Sequence, residues 1–191
     1  MPTSNEIIKI YEDCGALLKG HFLLSSGLHS DAYLQSELIM QHPKIAAKAI
    51  GGLKDILKNI DFTTVVSPAI GGIRFGYELA SQLDKRTVFT ERIDGVMVFR
   101  RGFSLNKGER VIVAEDVVTT GKSTKECIKA IEDSGAVTAG VVSIIDRSGG
   151  HADFGAPFYS LAKVQVNSYS QEDCPLCKKG LECVKPGSRT F

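Results

Sequence analysis

An excess of charge of either sign is missing from this sequence: 23 Lys and Arg stand against 22 Asp and Glu, for a formal net charge of +1. Without a net positive field there is no bulk attraction to nucleic acid or to an anionic membrane, and neither is expected as a partner. Long apolar runs are also missing. Nothing is long enough to span a bilayer, and the first residues lack the charged-then-apolar pattern of a secretory signal, so a cytoplasmic protein is expected. No internal repeat or low-complexity tract occurs. At 191 residues and 43% hydrophobic content, the chain suits one globular domain over 1–191, with at most a small appendage. Cysteines number only 5. Cys14 and Cys127 fall in helical patterns and read as buried thiols, while Cys174, Cys177 and Cys183 cluster in a tail over 170–191.

One stretch organises what is present. Val111-Ile112-Val113-Ala114 reads as a fully buried strand of a parallel sheet, and Glu115-Asp116 stand where that strand should end. Val117, Val118, Thr119, Thr120, Gly121, Lys122, Ser123 and Thr124 follow, leading into a helical pattern with Cys127, Ile128 and Ile131 on one face. The hydroxyls, the glycine and the free N–H groups of a helix start make a phosphate pocket. Two carboxylates would repel a bare phosphate. Ribose hydroxyls or hydrated Mg²⁺ are their natural partners. Gly121-Lys122-Ser123 imitates the end of a nucleotide-binding P-loop, but that motif needs a glycine at 116, which is Asp. The bland alternative is a pair of acids capping a helix.

The remaining pattern alternates helix and strand, which predicts an α/β fold with a mostly parallel sheet. A helix over 3–19 capped by Ser4 precedes a hairpin over 21–34 around Ser26-Gly27. Pro43 opens a helix to about 59. A strand over 63–67 ends at Pro68-Ala69-Ile70-Gly71-Gly72, a second backbone-lined anion loop before a helix over 73–83. A strand over 87–90 is followed by a long polar stretch over 91–107 holding Arg92, Arg100 and Arg101, read as a catalytic lid or as a solvated hairpin. Further strands are expected over 136–145, ending at Asp146-Arg147, and over 158–166.

The stretch from Val111 to Gly121 resembles the phosphoribosyl diphosphate (PRPP) signature of the type I phosphoribosyltransferases: an apolar strand, two acids, two apolar residues and Thr-Thr-Gly. Phe22, Leu24, Ser26, Gly27, Ser30 and Tyr33 resemble the hood segment of the orotate branch of that family, and Asp146-Arg147 its orotate-binding pair. Cys174-Pro175-Leu176-Cys177 with Lys185-Pro186-Gly187-Ser188 is similar to the ending of one bacterial group. The resemblance covers nearly the whole chain. It implies the type I phosphoribosyltransferase fold with a hood over 1–40, and transfer of phosphoribosyl from PRPP to orotate, with Mg²⁺ on the diphosphate and a homodimeric assembly. It implies that Glu115 and Asp116 hold the ribose hydroxyls and steady the cationic sugar, and that Thr119 to Ser123 hold the 5′-phosphate. Ile70, Gly71 and Gly72 would hold the diphosphate, while Thr119, Arg147, Ser26, Gly27 and Tyr33 would contact orotate.

Departures from the family pattern are informative. Ser25 and the Gly71-Gly72 loop stand where relatives often carry Lys, and the stretch from Glu91 to Asn106 holds neither the Lys nor the His usual there. Arg92, Arg100 or Arg101 is the expected replacement. The Cys-x2-Cys spacing is compatible with Zn²⁺, yet three cysteines fall short of a closed four-ligand site, and His151 is the candidate fourth; reduced thiols are the expected state, with a disulfide the other alternative. The other functions weighed are a phosphoribosyltransferase for another base and a PRPP-sensing regulator. The hood pattern and Arg147 argue against the first; balanced charge and the absence of an appended domain argue against the second.

Overall fold

The computed structural model describes residues 2–24 and 27–186. Thr3 starts α1 (Ser4–Asp13) through a capping box. Its side chain accepts the Glu6 N–H while the Glu6 carboxylate takes the Thr3 N–H, one residue ahead of the cap expected at Ser4. The helix is shorter than expected because Gly15, at φ +64°, turns the chain away. Leu17 and Leu18 therefore open a strand, β1 (Leu17–Leu23), which pairs antiparallel with β2 (His29–Leu34). The single helix expected from Pro43 is divided at Gly51 into α3 (Pro43–Ile50) and α4 (Gly52–Leu57), after a short α2 (Glu37–Met40).

Strands and helices then alternate: β3 (Thr64–Pro68), α5 (Gly71–Leu83), β4 (Arg86–Ile93), β5 (Val96–Phe99), β6 (Arg110–Val118), α6 (Lys122–Asp133), β7 (Val137–Asp146) and β8 (Phe158–Lys163). These strands form one six-stranded sheet in the order β5-β4-β3-β6-β7-β8, parallel except for β5. Alternate residues serve opposite faces. Ile112 and Ala114 pack with Phe75, Leu79, Ile50 and Leu53 on the side of α3, α4 and α5. Val111 and Val113 pack with Cys127, Ile128 and Ile131 of α6 on the other. Gly76 lets α5 settle onto β3, because a Cβ there would lie 2.0 Å from Ser67 Oγ. A short β9 (Ser168–Tyr169) and α7 (Pro175–Lys178) complete the elements.

A second, small sheet has the order β1-β2-β9, and Val184 bridges to Phe22 on its other side. The stretch over 91–107 is not one long lid. Arg86–Ile93 is continuous strand, Asp94 and Gly95 sit at φ 50° and 85°, and β5 returns antiparallel with Ile93 opposite Val96. Two positive-φ residues between paired strands are the Asp-Gly hairpin turn, whose signal is local in the sequence. Only about 100–109 remains loop. Among the described residues no helix is long and apolar enough to cross a membrane.

Candidate active site

The chain crosses β3, moves outward to β4, then returns to β3's other edge as β6 and continues outward to β7. The connections after β3 and β6 therefore diverge, and the gap at their carboxyl ends is where open α/β sheets bind ligands. Both sequence loops lie here. β6 runs through the two acids to Val118, beyond the end expected at Ala114. Glu115 and Asp116 are thus held on a rigid strand. Glu115 is paired in register with Ser143 of β7. Burial drives the Glu115 carboxyl well above the ordinary glutamate value, and the neighbouring Asp116 charge adds to the rise.

The loops meet at Asp116. A Cβ on Gly71 would lie 3.0 Å from Asp116 Oδ1, so the first residue of α5 brings bare backbone to the carboxylate. A Cβ on Gly72 would lie 2.9 Å from the Ala114 carbonyl oxygen; glycine is what permits α5 to start this close to β6. The Ala69–Ile70 peptide is cis, and Ile70 is exposed. Past β6, Thr119 and Thr120 are exposed, and Gly121 stands at φ +72° immediately before α6. The Thr120 hydroxyl accepts the Lys122 N–H at 3.4 Å. Lys122 is exposed and Ser123 half-buried in the first turn of α6. A Cβ on Gly121 would meet the Phe154 ring at 2.7 Å. This glycine's missing side chain faces the core, and its service to the loop is conformational.

Arg147 follows β7, its N–H bonded to the Val118 carbonyl. Burial lowers its pKa, opposed by Asp31 and Tyr33 nearby, and its Nε is buried without a hydrogen-bond partner. The alternative of an Arg147–Asp146 pair is not formed. Asp146 instead accepts from the Ser148 N–H and hydroxyl at 2.8 and 2.6 Å. Tyr33, on β2, has its pKa raised by burial and then by Asp116, with Arg147 opposing. The hairpin, the acidic pair and the arginine thus converge. Gly27 lies in the hairpin connection at φ 84°; Ser26 lies outside the described residues.

The loop arginines have different environments. Arg92 pairs with Glu126 of α6. Arg101 holds Glu91 through two 2.9 Å hydrogen bonds. Arg100 is exposed and makes no ion pair among the described residues. A cavity of about 270 Å³ opens beside β4, lined by Ile73, Tyr77, Val88, Phe89 and Phe103. Its walls are mostly apolar, with Ser67 and Thr87 also lining it. In the tail, Cys174 and Cys177 do not meet His151. They meet His21 and His29 of the hairpin, two residues that sequence reasoning had not connected with them.

Residues 35–175 match the family model described as phosphoribosyl transferase domain. The chain is 50% identical over 184 residues to an orotate phosphoribosyltransferase of Caldanaerobacter subterraneus subsp. tengcongensis, covering 96% of this chain and 97% of that one. It is also 50% identical over 183 residues to the Thermotoga maritima protein of the same name, covering 96% and 98%. The chain belongs to the orotate phosphoribosyltransferases. A crystal structure of a family member from Aeropyrum pernix superposes with a TM-score of 0.70 at 25% identity, over 83% of this chain and 93% of that one. The orotate phosphoribosyltransferase fold thus accounts for the parallel sheet, and the crevice described above lies at its topological switch.

Proposed function

We infer that the protein, as a single domain over 1–191, transfers the 5-phosphoribosyl group of PRPP to orotate, giving orotidine 5′-monophosphate and diphosphate in pyrimidine biosynthesis. The observation that carries this reading is the meeting of three groups at the switch crevice. They are the Glu115–Asp116 pair, the Gly71 backbone 3.0 Å from Asp116 measured to an added Cβ, and Arg147 with an unpartnered buried Nε. Each answers one part of the two substrates. The acidic pair suits ribose hydroxyls and, as the glycosidic bond breaks, the positive charge on the sugar. The backbone at Ile70, Gly71 and Gly72 suits the diphosphate, and Thr119 to Ser123 with the first turn of α6 suit the 5′-phosphate.

Arg147 presents a planar fork to the orotate carboxylate, a geometry that Lys cannot reproduce. Thr119 and Tyr33 border the base, with the hairpin as its cover. The oxygen donors of Asp116 and Glu115 fit Mg²⁺ carried by PRPP, and Mg²⁺ when bound neutralises charge on the leaving diphosphate. Asp116 orients the ribose beside it. Arg100, unpaired among the described residues, is the loop cation best placed to supply charge as the site closes, in its own subunit or in the partner of a cytoplasmic homodimer.

The deciding assay follows the fall in orotate absorbance with PRPP and Mg²⁺, run beside adenine, hypoxanthine, xanthine and uracil. Turnover of orotate alone is expected. Equal use of uracil, or inertness toward orotate, overturns the reading.

A further inference from the structure

Far along the sequence from the acidic pair, four ligand atoms converge on one point. His21 Nε2, His29 Nδ1, Cys174 Sγ and Cys177 Sγ all lie within 4.8 Å of one another. His21 and His29 are 4% and 5% exposed and Cys174 is 0% exposed, so three of the four residues are largely shielded from bulk water. We propose that His21, His29, Cys174 and Cys177 bind a structural Zn²⁺ that clips the C-terminal tail to the β1–β2 hairpin.

The distances support a tetrahedron. Metal–sulfur bonds of about 2.3 Å and metal–nitrogen bonds of about 2.05 Å set N···S edges near 3.6 Å and an N···N edge near 3.3 Å at tetrahedral angles. Three of the four N···S separations come close to this, at 3.5 Å and 3.6 Å from His21 Nε2 to Cys174 and Cys177 and 3.3 Å from His29 Nδ1 to Cys177, and the fourth lies within 4.8 Å. The His21 Nε2 to His29 Nδ1 separation of 2.7 Å is shorter, so the rings part slightly on coordination.

Tautomer selection points the same way. His21 Nδ1 lies 2.8 Å from the Leu181 carbonyl, to which it donates its proton. Its Nε2 is then a bare lone pair aimed into the cluster. A carbonyl behind a coordinating imidazole is the usual orienting contact at metal sites. A hydrogen-bonded cluster without metal accounts less well for the same atoms. One proton shared between the two histidines satisfies them alone and leaves two thiols against nitrogens that have no further capacity. Two imidazole nitrogens and two thiol sulfurs this close together match the Cys2His2 donor set of structural zinc sites. Cys183, exposed and 3.9 Å from His29 Nδ1, stands outside the set.

The consequence is mechanical. The two histidines sit on adjacent strands and the two cysteines at the start of α7, so one ion holds both strands and the tail. Beside it, Val184 bonds the backbone of His21 and Leu23 at 2.9 Å each. The clipped hairpin carries Tyr33, and the ion thereby fixes the cover of the crevice.

The test uses the full chain without a histidine tag, expressed with zinc in the medium. Elemental analysis is expected to find about one zinc per chain, released by a mercurial thiol reagent and reported by a zinc-binding dye. Cys174→Ser and His29→Ala should each reduce zinc at least tenfold and lower Tm, while His151→Ala and Cys183→Ser keep it. Should the ligand variants fail to fold, the wild type settles the matter through cobalt. Co²⁺ loading should give thiolate charge-transfer bands and the intense visible bands of a tetrahedral site. Zinc-free wild type, iron in its place, a Cys174–Cys177 disulfide found by mass spectrometry after alkylation, or zinc lost in His151→Ala or Cys183→Ser each overturns the proposal.

Discussion

Arg147→Ala offers the sharpest separation of substrate binding from structure. The guanidinium is partly buried, and its Nε has no hydrogen-bond partner among the described residues. An unmet buried donor costs about 1–3 kcal/mol, a cost that truncation to Ala removes. Asp31 keeps its 2.9 Å bond from Asn167 Nδ2 in the variant. Stability should therefore stay level or rise. Orotate binding should move the other way. A hydrogen bond to a charged partner contributes about 1.5–3 kcal/mol, and at 1.36 kcal/mol per decade this is a loss of about 10- to 150-fold in kcat/KM for orotate. The KM for PRPP should change little. Arg147→Lys keeps the charge without the fork and should recover only part of the loss. Steady-state kinetics in each substrate and a thermal melt give the three numbers needed. A KM for PRPP that climbs in step with that for orotate would refute the assignment. So would a Tm drop of more than about 4 °C, equivalent to roughly 1 kcal/mol in a chain of this size.

The other expectations concern the same crevice. Asp116→Asn should lower kcat by about 10²–10³-fold with a smaller change in the KM for PRPP, because its charge matters most when the sugar is cationic; unchanged kcat removes the role. Glu115 has its carboxyl raised above the ordinary 4.5 by burial. Between that value and the raised one the folded state holds a proton the unfolded chain has lost, so stability falls as pH rises through this window. Glu115→Gln should flatten that slope in melts taken across pH and raise Tm at neutral pH while activity drops; an unchanged slope contradicts the burial argument. Arg100→Ala should lose about a hundredfold in kcat, whereas Arg92→Ala and Arg101→Ala, already occupied by Glu126 and Glu91, should lose little. Mixing Arg100→Ala with Asp116→Asn chains should restore activity if the loop serves a partner's site. Gly121→Ala should depress both Tm and PRPP affinity in calorimetry, since its φ is +72° and the added carbon meets Phe154 at 2.7 Å; normal values for either would show that the loop tolerates another conformation.

Residues whose neighbours are close in sequence were the legible ones. The buried run Val111 to Ala114, the glycines after β3 and the Thr-Thr-Gly loop announce strands and the loops that follow them through local chemistry alone. The misreadings arose where distant packing or a single backbone angle decides. Gly51 divides a helix that hydrophobic spacing alone would have carried on. The segment beyond β4 looked irregular because β5 is only 4 residues long, although Asp94-Gly95 carried a turn signal. The hairpin histidines were out of reach for a plainer reason. His21 and Cys174 are 153 positions apart, and no spacing rule links residues that only the completed small sheet brings together.

That small sheet draws its strands from both halves of the chain, which sets an order of events during synthesis. β1 and β2 leave the ribosome first, but a lone two-stranded hairpin is marginal in water. Its flanking partners, β9 and Val184, follow only after the six-stranded sheet has been completed at Lys163. A nascent chain therefore contains the Gly71-Gly72 loop, the Thr119 to Gly121 loop and the acidic pair before the small sheet is complete. Val184, the last partner of the small sheet, is made some twenty residues of translation after the six-stranded sheet ends at Lys163.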